Sequence, residues 1–273
     1  MSKEKQVGQS KNSQSSDWLW VTIQAEVAVL SQQEPILTSF FYDAVLSHQS
    51  LEEALSYNLA VQIDNTVLSA LTIREVFIET MVAEPAIGDS MRKDLTAYVE
   101  RDPACDQYCL PLLYFKGFHA LQIYRVANWL WRNGRQSLAL YLQNRVSEIF
   151  AVDIHPAAQI GSGIMIDHAT GVVIGETAIV GNNVSILHSV TLGGSGCTSG
   201  SRHPTIGNGV LISAGAKILG NISVGDGVKV GAGSLVLESV PAHVTVAGVP
   251  ARIIGTPVED QPALEMDQHL SGS

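Results

Sequence analysis

Two hydrophobic rhythms divide the chain near residue 150. Before it, apolar positions recur every three or four residues, as they do on one face of a helix. Ser16 and Asp17 precede a run from Trp18 to Leu30 that stops before Pro35. Ile36, Leu37, Phe40, Phe41, Ala44 and Val45 form the next stripe. Ser50 with Glu53, and Thr72 with Glu75, have the spacing of capping boxes. Asp89 heads a helix through Met91, Leu95, Tyr98 and Val99 that ends at the Asp102-Pro103 step. A long apolar-aromatic helix covers Leu112 to Arg132 and closes at Gly134, and another runs from Gln136 to Phe150. No alternating pattern competes, so this half reads as roughly six to eight helices.

After residue 150 the period is six. Ile154, Ile160, Ile166, Val172, Ala178, Val184 and Val190 are followed, after ten extra residues, by Ile206, Ile212, Ile218, Val224, Val230 and Val236. Three positions further on lies a second series: Ala157, Gly163, Ala169, Gly175, Gly181, Leu187 and Gly193, then Gly209, Gly215, Asn221, Gly227, Gly233 and Ser239. A period of six fits neither a helix nor a simple sheet and marks a repeat architecture. Short aliphatic residues suit the interior of a parallel β-helix whose coils stack about 4.8 Å apart, and Gly or Asn suits its corners. The chain thus reads as an α+β protein. It has an N-terminal tail (1–17), a helical domain (18–150), a β-helix domain (151–255) with an extruded Gly/Ser loop (194–205), and a C-terminal tail (256–273).

Composition sharpens the division. Of 24 glycines 20 follow Phe150, whereas only four of 16 Lys and Arg do: Arg202, Lys217, Lys229 and Arg252. The net charge of −10 argues against a nucleic-acid partner held through phosphates. No apolar run reaches the ~18 residues of a membrane span. Met1 to Ser16 has no apolar segment behind its lysines, so a secretory peptide is not expected and the cytoplasm is the default compartment. Three cysteines, Cys105, Cys109 and Cys197, are too few and odd in number for a disulfide framework. Cys105 and Cys109 lack a second ligand pair at zinc spacing. Trp129 and Trp131 beside Arg125 and Arg132 read as core and interface residues.

In a β-helix the interior is filled, so chemistry belongs on outward positions, on extruded loops or between copies. Asp167-His168 follows the buried Ile166, Asp153 lies upstream, and the loop ends in Arg202-His203-Pro204. A carboxylate that fixes one imidazole nitrogen leaves the other as a general base. Spacing alone does not say which acid serves the histidine. Three alternatives compete: zinc held by His168, His188 and His203, which lacks a His-x4-His pair; a Cys197 nucleophile, without electropositive surroundings; and a non-catalytic assembly module.

Asp-Ile-His-Pro-Ala-Ala (153–158), Ile-Asp-His-Ala-Thr-Gly (166–171), Val-Thr-Leu-Gly-Gly (190–194), Arg-His-Pro (202–204) and Ala-Gly-Val-Pro-Ala-Arg (247–252) resemble the serine O-acetyltransferase family. In the helical half, Arg-Asp-Pro-Ala (101–104) and the stretch 111–122 resemble it too. The likeness spans about residues 18 to 255 and implies a left-handed parallel β-helix behind a helical domain, assembled as trimers or dimers of trimers. It implies acetyl transfer from acetyl-CoA to the L-serine hydroxyl for cysteine synthesis, with no metal and with L-cysteine as inhibitor. By position, His168 matches the general base and Asp153 its carboxylate. Arg202 and His203 match the grip on the substrate carboxylate, and Asp102 and Asp167 the acids near the ammonium. Gly193, Gly194, Ala214 and Ala232 match a groove for the pantetheine arm of CoA, and Lys229 a contact to its phosphates. Another hexapeptide acetyltransferase, acting on a sugar or xenobiotic hydroxyl, is the alternative enzyme; Arg101-Asp102-Pro103 argues against it. Many members end in an isoleucine that enters O-acetylserine sulfhydrylase; this chain ends Asp267-Gln268-His269-Leu270-Ser271-Gly272-Ser273, so weak binding to that partner is expected.

Overall fold

The computed structural model describes residues 17–196 and 200–270; Met1–Ser16, Cys197–Ser199 and Ser271–Ser273 lie outside that range. Asp17 caps α1 (Trp18–Gln33) by accepting from Trp20 N at 3.4 Å. The stripe from Ile36 to Val45 is not one helix. A 3-10 turn starts at Pro35, a short α2 (Thr38–Phe41) follows, and a wider turn (Tyr42–Leu46) ends it, burying Phe41, Ala44 and Val45 but exposing Ile36. Ser50 caps α3 (Leu51–Ile63) through Glu53 N at 3.2 Å. The cap of α4 (Ala70–Ala83) is Ser69, which accepts from Thr72 N, so Thr72 is already helical. Likewise α5 (Ala86–Arg101) starts behind Pro85, and Asp89 falls in its first turn. The expected long helix is two, α6 (Cys109–Tyr114) and α7 (Lys116–Arg132), because Phe115 turns extended between them. α8 (Gln136–Phe150) leads into the second domain.

Cys105 and Cys109 are free and buried among these helices, and burial pushes their thiols up to about 11 and about 12, which makes them inert packing residues. Among the described residues no helix is long and apolar enough to cross a membrane.

The second domain winds a three-sided parallel β-helix. Its first coil is β1 (Val152–Ile154), β2 (Gln159–Ile160) and β3 (Met165–Ile166). The second is β4 (Val172–Ile174), β5 (Ile179–Val180) and β6 (Ser185–Ile186). The third is β7 (Thr191–Gly193), β8 (Thr205–Ile206) and β9 (Leu211–Ile212), and the fourth β10 (Lys217–Leu219), β11 (Ser223–Val224) and β12 (Lys229–Val230). β13 (Leu235–Val236), β14 (Thr245–Gly248) and an antiparallel β15 (Ala251–Gly255) finish the solenoid. Sheets run β1-β4-β7-β10-β13, β2-β5-β8-β11 and β3-β6-β9-β12-β14-β15.

The register corrects the sixfold reading at one place. Ile206 pairs with Val224, an ordinary coil of eighteen residues. Ile154 pairs with Ile174 and Ile166 with Ile186, a coil of twenty. Val180 pairs with Ile206, a coil of twenty-six. The ten extra residues are therefore divided: two widen the corner after Ile166 and eight form the loop. Val172, Ala178, Val184 and Val190 escape detection because side chains two apart on a strand share a face. They are as buried as their neighbours Ile174, Val180, Ile186 and Leu192.

The first coil has no coil beneath it, and an open strand edge exposes unpaired backbone groups. The helical domain covers it with polar side chains. Asp94 accepts from Ile164 N at 2.9 Å and from Arg125 Nε at 2.8 Å, and Arg125 donates to the Gly161 carbonyl at 2.7 Å. Tyr124 donates to the Ala158 carbonyl at 2.5 Å, and Asn128 to that of Pro156 at 2.8 Å. After β15 the chain folds back along the sheet that holds β12, and α9 (Pro262–Glu265) reaches β6, β9 and α5.

Candidate active site

The widened corner carries the candidate base. His168 and Ala169 both adopt left-handed conformations, at φ 56° and 59°, which non-glycine residues take only when their surroundings hold them there. The turn throws the imidazole outward, 72% exposed, with Nε2 3.5 Å from Asp167 Oδ2. Burial raises the Asp167 carboxyl, His168 opposes that rise, and nearby Asp102 adds to it. Asp102 ends α5, so the helical domain supplies the second acid of this cluster.

The pairing Ile166–Ile186–Ile212–Val230 also stacks the residues two places on. His168, His188, Ala214 and Ala232 therefore form one column up the corner. The His168 and His188 rings meet edge to face with centroids 5.8 Å apart. Above them Ala214 is half-buried and Ala232 exposed, a shallow small-residue groove that starts at the base.

Arg202 and His203 lie elsewhere. The loop returns one coil above Glu176-Thr177, at the opposite edge of the sheet that contains β4. Arg202 pairs with Glu176 at 2.5 Å, and the bond holds the Glu176 carboxyl below its usual range. His203 is 8% exposed, and its Nδ1 accepts from Thr177 N at 3.2 Å and lies 2.8 Å from Thr177 Oγ1. A backbone N–H can only donate, so Nδ1 is bare and the ring proton is on Nε2. Burial, reinforced by Arg202, lowers the affinity of this ring for a second proton. Its other face has room because Gly175 has no side chain: a Cβ there would lie 2.0 Å from His203 Nε2. Gly194 flanks the ring at 3.5 Å by the same measure, and Gly193 sits in β7 against Leu219.

Asp153 belongs to this second cluster. Its Oδ1 accepts from Gln143 Nε2 at 2.6 Å, and its charge acts on His155, as do those of Glu176 and Arg202. Within one chain Asp153 and His168 share no hydrogen bond among the described residues; the acid beside His168 is Asp167. Lys229 lies in β12 beneath the C-terminal tail. It is 3% exposed, and its ammonium donates to Asp267 Oδ2 at 3.3 Å and to the His269 carbonyl at 2.6 Å, so the tail occupies it. Cys197 lies outside the described residues. Among those residues no group of three or more His, Cys, Asp or Glu is arranged to hold a metal ion.

Glu176, Thr177, Gln143 and Gly175 escape sequence reasoning. For Gly175, Glu176 and Thr177 the signal is vertical, one coil below the Arg202-His203 loop, and becomes legible only once the register is known; Gln143 reaches Asp153 from α8 and no spacing announces it.

Coil and hexad are those of a hexapeptide-repeat transferase, and the family profile "Bacterial transferase hexapeptide (six repeats)" matches residues 203–238. The profile "Serine acetyltransferase, N-terminal" matches residues 19–123. A serine acetyltransferase of Salmonella typhimurium is 57% identical over 254 residues, 93% of each chain. The crystal structure of serine acetyltransferase from Vibrio cholerae superimposes with a TM-score of 0.92 at 56% identity, covering 93% of this chain and 99% of that one. A serine acetyltransferase in complex with cysteine gives 0.91 at 52% identity, covering 92% and 98%. Similar enzymes have been solved with serine, from Neisseria gonorrhoeae (TM-score 0.84, 52% identity, covering 86% and 96%), and with coenzyme A, from Brucella abortus (0.86, 52%, covering 88% and 96%). The chain belongs to the serine acetyltransferase family and is an acetyltransferase.

Proposed function

We propose that the protein transfers acetyl from acetyl-CoA to the L-serine hydroxyl, with His168 as general base, at a site completed between two copies of the chain. The observation that carries this reading is the exposed imidazole beside two acids, at the foot of a column of small residues. Asp167 and Asp102 suit the serine ammonium. Ala214 and Ala232 leave room for the pantetheine arm, whose thioester then ends beside His168. The hydroxyl oxygen attacks the thioester carbonyl carbon as its proton passes to the imidazole. Collapse of the tetrahedral intermediate breaks the C–S bond, and the imidazolium returns the proton to sulfur. Positioned acid-base help of this kind is worth about 100- to 10,000-fold. Both substrates bind together, so no acyl-enzyme is needed. The reading gains support from relatives solved with serine and with coenzyme A.

Sharing between copies follows from distance. Only β4, three residues and about 10 Å long, separates the His168 corner from Gly175-Glu176-Thr177, yet serine is too short to touch both. A threefold assembly that brings the base corner of one copy to the Arg202-His203 edge of the next resolves this. It also offers Asp153 an imidazole to stabilise. The exposed apolar residues Trp18, Ile36 and Phe40 of the helical domain suit pairing of two such trimers. L-cysteine differs from serine only at the reacting atom, so it would occupy the same site and inhibit; a relative solved with cysteine fits this. The test is thiol release from acetyl-CoA with purified protein. Release that depends on L-serine supports the reading, and release driven equally by a sugar hydroxyl overturns it.

A further inference from the structure

We propose that Tyr98, on α5, is a positioning residue for the base, acting through the backbone of Ile166. The Tyr98 hydroxyl accepts from Ile166 N at 3.1 Å and donates to the Ile166 carbonyl at 3.0 Å. Higher coils bond to the coil on either side, but Ile166 has no coil beneath it. The phenol takes the place of that missing strand at the residue from which Asp167-His168 departs. The ring is itself fixed, 1% exposed, with Phe115 at 5.6 Å and Phe118 at 6.2 Å. Burial keeps the phenol protonated far above neutral pH, so it stays able both to donate and to accept.

Two further contacts converge on the same corner. The Asp102 N–H bonds to the Tyr98 carbonyl at 2.9 Å, so one turn of α5 fixes both the phenol and the second acid. α7 approaches so closely at Gly117 that a Cβ there would lie 2.0 Å from the Ile166 oxygen. Since His168 and Ala169 are held in left-handed conformations, the corner depends on such outside fixing to keep one shape. Tyr98 thereby sets the direction of the imidazole without itself touching substrate.

The inference rests on His168 being the base, so Tyr98→Phe and His168→Ala are assayed together in the full-length protein by serine-dependent CoA release. Tyr98→Phe should lower kcat roughly 10- to 100-fold, as misplacement of a catalytic group by about 1 Å does, with the KM for acetyl-CoA and the elution volume unchanged. Tyr141→Phe is the matched control. Its hydroxyl bonds to Asn65 at 2.8 Å inside the helical domain, so its loss should lower Tm and leave kcat alone. If Tyr98→Phe does not fold, Gly117→Ala presses on the same carbonyl and should show the same kcat loss. Wild-type kcat in Tyr98→Phe, or equal loss in Tyr98→Phe and Tyr141→Phe, overturns the proposal. An active His168→Ala instead overturns the assignment of the base.

Discussion

Gly175→Ala tests the proposed carboxylate grip of His203 with the smallest possible perturbation. The backbone at Gly175 lies outside the left-handed region, so an alanine fits its φ. What it does not fit is the ring: the new methyl would sit 2.0 Å from His203 Nε2 and 2.1 Å from Cδ2. Ordinary contact requires about 3.5 Å or more, so the imidazole must retreat by roughly 1.5 Å. Gly194 lies on its other flank and Thr177 anchors Nδ1, so the retreat breaks bonds worth about 1 kcal/mol each. A group misplaced by about 1 Å costs on the order of 100-fold. The expected result is a kcat/KM for serine about 100-fold lower with the KM for acetyl-CoA unchanged. Steady-state thiol release measures both, and a double-mutant cycle isolates the cause. In a His203→Ala background Gly175→Ala should have no further effect. Wild-type serine kinetics in Gly175→Ala, or full additivity in the cycle, would refute the reasoning.

Two other outcomes follow. Mixing His168→Ala copies with Arg202→Ala copies under exchange conditions should restore activity at about a quarter of the sites, since a shared site is whole wherever an intact base meets an intact grip; a mixture as inactive as its parents places the site within one chain. His119 is buried and its Nε2 bonds to the Leu112 carbonyl at 2.8 Å; burial lowers it to about 4. A histidine depressed in the folded state contributes nothing above its unfolded value and costs stability as pH falls from about 6.5 to 4, here by about 3 kcal/mol. Urea unfolding across that range should show the loss, and His119→Gln should flatten it; an unchanged slope in the variant refutes the assignment.

How far the sequence could be read depended on the range of the signal. The thirteen aliphatic hexad positions are local and periodic, so the coil and its inward face were plain, and twelve of those residues are buried. The helices were legible except where backbone detail intervened: Pro35 starting a 3-10 turn, Ser69 outcompeting Thr72 as cap, and Phe115 breaking the α6–α7 run. The two-residue slip after Ile166 was hidden by the twofold period of strands, and with it the stacking of His168 on His188 and of His203 on Thr177. Asp167 beside His168 is adjacent in sequence and could be named. Gln143 on Asp153, Tyr98 under Ile166 and the tail over Lys229 join residues that no spacing links.

His168 is proposed as the proton acceptor for serine. The measurement that tests it most directly is kcat for serine-dependent CoA release by His168→Ala, with elution volume and circular dichroism as checks on the fold. A loss of at least about 100-fold in a protein that is otherwise unchanged is expected. Turnover near that of the unsubstituted enzyme would contradict it.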